Sequence, residues 1–137
     1  MIMELMTLIA GFESFHAIPY SDHKQLTVGF GTKATEEICV TKEHATQELM
    51  RNVAKHLKVV DSARLTDDQV IALTSFSYNV GAGAYLKSTV AKLVKQGKMC
   101  AAAKELNTWV YASGKKVDGL VKRRAVEGSL LTRGVRC

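Results

Sequence analysis

Residues 11–31 read GFESFHAIPYSDHKQLTVGFG, and the pattern changes character within them. Upstream, Ile2, Leu5, Met6 and Ile9 recur at helical spacing. Residues 2–11 are therefore predicted as a short amphipathic helix with Gly11 at its stop, and Glu13 follows just after it. Across 18–35 the period shortens to two. Leu26, Val28 and Phe30 alternate with Thr27, Gly29 and Gly31. That alternation, broken by glycine, predicts a small hairpin or three-stranded sheet. It is the one strand region expected in the chain, with Asp22 at its entry.

Everything after residue 40 reads as helix. Thr41 can cap a helix that carries Ala45, Leu49, Val53, Leu57 and Val60 on one side. Thr66 and Gln69 have the spacing of a capping box. The run Val70–Val80 behind them is apolar nearly all round, the mark of a helix buried in a core. Gly81 and Gly83 are expected to end it. Further helices are expected at 88–96, 98–112 and 119–133, punctuated by Gly97 and by Ser113-Gly114. The layout is α+β and mainly helical, one domain over 1–137. Its small lobe, 12–60, would hold the sheet and a connecting helix, and 61–137 would form a helical lobe.

The 137 residues are 47% apolar, enough for one core of ordinary size. No stretch approaches the roughly 18 consecutive apolar residues of a membrane-spanning helix. Met1–Phe12 lacks a basic leader and a cleavage site, and Glu4 and Thr7 interrupt it, so it does not read as a secretion signal. The protein is expected in a cytoplasm, with no membrane insertion. Cys39, Cys100 and Cys137 are an odd number without metal-like spacing, which predicts three reduced thiols. The net charge of +6 is uneven. Residues 1–86 carry 7 basic and 10 acidic side chains, whereas 87–137 carry 12 and 3. Such a basic half attracts polyanions, whether nucleic acid, anionic lipid or anionic cell wall.

Glu13 beside an apolar helix end and Asp22 in a polar turn occupy different surroundings. Burial raises the pKa of a carboxyl, while solvation keeps one ionised. A protonated acid next to a charged carboxylate is what cleavage of a glycosidic bond requires. From spacing alone, a capping or salt-bridging Glu13 and a simple turn aspartate are the favoured reading of the same residues.

The run Gly11–Gly31 resembles the active-site segment of the phage lysozymes. Their pattern is a glutamate, eight residues, an aspartate, five residues, a threonine and a Gly-x-Gly turn. Glu13 and Asp22 match it. The resemblance continues through residues 65–69 (LTDDQ), 75–81 (SFSYNVG), Trp109-Val110 and 119–127 (GLVKRRAVE), nearly the whole chain in the family's order. Two departures stand out. Only four residues separate Asp22 from Thr27, and Thr32 stands where many relatives have histidine.

The resemblance implies an endolysin that cleaves bacterial peptidoglycan without a metal or organic cofactor. Glu13 would be the general acid, Asp22 the base or electrostatic partner, and Thr27 a holder of the attacking water. Tyr20, His23 and Trp109 are candidates for touching the sugars, with core packing the alternative for Trp109. Arg123 and Arg124 would support the site, paired either with Glu13 or with Glu127 one turn on. Asn79 reads as structural. The implied partners are peptidoglycan and, for release, a membrane-perforating holin, with the enzyme a monomer that binds no nucleic acid. A lytic transglycosylase on the same bond, or an inactive wall-binding module, are the competing readings.

Overall fold

The leading apolar repeat forms helix α1 (Ile2–Glu13), with Leu5 and Ile9 fully buried. The helix runs through Gly11 instead of stopping there, so Glu13 is its last residue. The computed structural model describes residues 1–13, 16–22, 25–29, 32–33 and 42–137, with side chains for 1–13 and 43–137. His23 and Cys39 lie outside the described residues.

The period-two stretch forms an antiparallel sheet in the order β1 (His16–Asp22), β2 (Gln25–Gly29), β3 (Thr32–Lys33). Asp22 is opposite Gln25 and Tyr20 opposite Thr27, whereas His16 is opposite Gly29. The register thus slips between His16 and Tyr20, where Pro19 has no N–H to give to a ladder. Asp22 ends the first strand instead of preceding the sheet. Helix α2 (Lys42–Val59) follows, burying Ala45, Leu49 and Val53 at four-residue intervals. These elements up to Lys55 form one compact unit, and His56–Cys137, with Met1, form another.

The second unit is built on α3 (Asp67–Val80). Its capping box is present: the Gln69 N–H donates to Thr66 Oγ1 at 3.2 Å and the Thr66 N–H to Gln69 Oε1 at 2.9 Å. Every residue from Gln69 to Ser77 is buried, as the all-round apolar character predicts. Leu73 and Phe76 join Val90, Leu106 and Leu131 in the core. Each such side chain contributes about 1.5–3 kcal/mol of burial. Gly81, at φ +99°, ends α3. Contrary to expectation, the next residues are helical: α4 (Ala82–Lys87) begins at once and includes Gly83. Tyr85 holds it, packing its ring edge-on to Phe76 at 6.1 Å.

Helices α5 (Thr89–Lys95), α6 (Met99–Leu106) and α7 (Asp118–Thr132) complete the unit, with α7 against α3 and α6. Helix α6 stops six residues before the expected 112. The chain instead makes a second hairpin, β4 (Tyr111–Ala112) with β5 (Lys115–Lys116). Ser113 and Gly114 turn it with φ of +52° and +77°, the two positive values of a type I′ turn. Among the described residues, no helix is long and apolar enough to cross a membrane.

One expectation is overturned outright. Cys100 and Cys137 form a disulfide across 37 residues, with Cα atoms 5.7 Å apart, so these thiols are not both free. The count of three did not reveal this, because pairing depends on which residues the fold brings together. Closing a loop of that length stabilises by about 4 kcal/mol in the chain-entropy picture. Cys137→Ser, or reduction, is therefore expected to lower the denaturant midpoint by an amount worth roughly 2–4 kcal/mol.

Candidate active site

The acidic motif sits in the first unit. Glu13 occupies the C-terminal end of α1, half-buried. Asp22 ends β1, Thr27 is the central residue of β2, and Tyr20 is Thr27's cross-strand partner. One helix end and two adjacent strands therefore carry Glu13, Asp22 and Thr27. The shortened Asp22–Thr27 spacing is absorbed by the register, since Asp22 pairs with Gln25.

The supporting residues expected from the sequence meet in the second unit. Arg123 and Arg124, on α7, are both buried, and both take Glu127 as partner. Arg123 Nε donates to Glu127 Oε2 at 3.3 Å, and Arg124 Nη2 donates to the same oxygen at 3.3 Å. Ser75 Oγ donates to it as well, at 2.6 Å. Arg123 Nη2 reaches back to the Ser75 carbonyl at 3.0 Å. Arg124 Nη2 also donates to Asn79 Oδ1 at 2.8 Å, so Asn79 positions a guanidinium. Arg124 Nε approaches Glu127 Oε1 to 2.7 Å without a directed hydrogen bond, a purely electrostatic contact.

Beneath this cluster is Phe76. The Arg124 guanidinium lies 4.9 Å from its ring centre, a cation–π contact. Trp109 meets the same ring edge-on at 5.4 Å and 81°. Trp109 therefore packs on the core, the alternative weighed for it above. Sequence reading missed Ser75 in this network. Glu127 was legible only as one option, through its spacing of three and four residues from the arginines.

Two guanidiniums facing one carboxylate leave the cluster net positive. Burial is costly for both signs. It pushes the Arg124 pKa down to about 10, against the pull of Glu127. Burial also pushes the Glu127 carboxyl above the usual range, outweighing Arg124 and Arg123. The folded state therefore holds this proton at pH values where the unfolded chain has released it. Stability contributed by Glu127 falls as pH rises from the ordinary glutamate range, ~4.3, through the raised folded value. That segment of a stability–pH curve is expected to flatten in Glu127→Gln. Among the described residues, no cluster of histidine, cysteine or carboxylate side chains is arranged to hold a metal.

Residues 10–127 match the family model of phage lysozyme. The endolysin of Bacillus phage PZA is 32% identical over 138 residues, spanning 94% of this chain and 54% of that protein. The chain thus spans about half the length of that relative. The SAR-endolysin of Enterobacteria phage PA-2 is 34% identical over 85% of this chain and 75% of its own. Among solved structures, the muramidase domain of SpmX from Asticaccaulis excentricus superposes with a TM-score of 0.83 at 28% identity, covering 93% of this chain and 94% of that one. A helix–sheet–helical-bundle order, a Glu–Asp–Thr motif on the first helix and sheet, and a family match over most of its length lead to one conclusion: the chain belongs to the phage lysozyme family.

Proposed function

We propose that the chain is an endolysin that hydrolyses the β-1,4 bond between N-acetylmuramic acid and N-acetylglucosamine in bacterial peptidoglycan. The observation that carries this reading is the placement of Glu13, Asp22 and Thr27 on the end of α1 and on paired strands. Glu13 gives its proton to the leaving glycosidic oxygen. Asp22 stays charged, activates water and steadies the oxocarbenium-like transition state. The Thr27 hydroxyl holds that water. Tyr20 and His23 contact the glycan, while Asn79, Arg123 and Arg124 hold the second unit in shape. The enzyme works as a monomer and reaches the wall from the host cytoplasm once a holin has opened the membrane.

Product mass tests the reaction. Hydrolysis adds one water for each bond cut. Fragments lacking that water, with anhydro ends, would replace this reading by a transglycosylase, and no fragments at all by a binding module.

A further inference from the structure

A groove of ≈ 760 Å³ opens where the connection from α2 to α3 runs beside α4 and α5, wholly within the second unit. Four exposed cations line it: Arg64, Lys87, Lys92 and Lys95. Among the described residues, one lining carboxylate, Asp61, stands against them. None of the four cations has a salt bridge among the described residues. Lys92 and Lys95 are one helical turn apart on α5, and Lys87 ends α4, so the three lysines come from two consecutive helices. Leu65 and Val94, half-buried and packed on the core, supply an aliphatic floor.

These features select among polyanions. A concave channel admits a strand more readily than the plane of a membrane surface. Among the described residues, the one aromatic in its lining, Tyr85, has its ring buried (4% exposed), and none offers an open face for base stacking. Stacking is what single-stranded nucleic-acid sites rely on. Three of the four cations are lysines, point charges suited to phosphate without bidentate geometry.

We infer that this groove binds the phosphate-bridged polyol polymer of a bacterial wall, with phosphates on Lys87, Lys92 and Lys95 and the aliphatic links over Leu65 and Val94. The inference rests on the reading of the chain as a wall-degrading enzyme and gives its basic half a specific ligand.

The test is a titration of the full chain with a short, soluble poly(glycerol phosphate). Three proteins are compared: wild type, the groove variant Lys87→Gln/Lys92→Gln/Lys95→Gln, and a remote variant Lys115→Gln/Lys116→Gln/Lys122→Gln. Both variants lose the same charge from exposed positions, and circular dichroism checks their folds. The groove variant is expected to bind about tenfold more weakly, the remote variant less than about threefold. Equal weakening in both would show a diffuse field and overturn the inference. So would absence of binding by the wild type, or tighter binding of a single-stranded DNA of equal charge. Hydrolysis of peptidoglycan stripped of its polymer, measured in parallel, should be the same in wild type and groove variant. Absence of hydrolysis by the wild type would sink the enzymatic reading while leaving the polymer titration to be judged separately.

Discussion

Glu13→Gln is expected to reduce cleavage of purified peptidoglycan by about 10²–10⁴-fold, the usual worth of a positioned general acid. Glutamine keeps the size and one acceptor oxygen of glutamate but has no proton to give. The leaving sugar oxygen would then depart as an alkoxide, which raises the barrier to the first bond-breaking step. Since Glu13 ends a helix and is only half-buried, the substitution should move stability by less than about 1 kcal/mol. The measurement is release of reducing ends over time, with a thermal melt on the same sample. Full activity in this variant would end the assignment of Glu13. Asp22→Asn serves as its companion, because an amide can neither activate water nor carry the charge that steadies the transition state. If Asp22→Asn alone retains full turnover, the acid acts without a paired carboxylate and the transglycosylase reading gains.

The second large effect concerns folding. Glu127→Ala is expected to cost about 3–5 kcal/mol, the price of removing one partner from a buried ionic cluster. Its Oε2 accepts from Arg123, Arg124 and Ser75 together. Alanine leaves three buried donors without that acceptor and opens a void between α3 and α7. Glu127→Gln should cost less than half as much, because it keeps an acceptor and the volume. It also resembles the protonated carboxyl, the form that burial favours. A fall in Tm of roughly 10–20 °C is expected for the alanine variant. Equal losses in the two variants would show that charge, not hydrogen bonding and packing, is what Glu127 supplies.

How much of this was legible beforehand follows the range of each interaction. Helices α1, α2, α3 and α7 came through with only their ends displaced, because their signals are local: an apolar repeat, a capping box, burial on all sides. The first sheet was legible for the same reason, through the alternation around Thr27. Helix α4 and the β4–β5 hairpin were not. A six-residue helix and two-residue strands are too short to show a period, although Ser113-Gly114 is a fair turn signal in retrospect.

The acidic motif was legible as spacing: Thr27 fell on a strand as the alternation implied, whereas Asp22, expected in a turn at the sheet's entry, ends β1. The supporting cluster was legible only in part. Sequence spacing offered Glu127 to the arginines but did not say that both would bury with it, nor that Ser75, 52 residues away, would donate to the same oxygen.

Periodicity and motif order in this chain thus determined most of its element types, its family and the candidate residues for the chemistry, since these depend on neighbours within a turn or a strand. The Cys100–Cys137 bond, the choice of Glu127 by both arginines and the cationic groove beside α5 were decided by tertiary structure alone. Each depends on which distant segments share one core, and burial, unlike spacing, exists only after the chain has closed on itself.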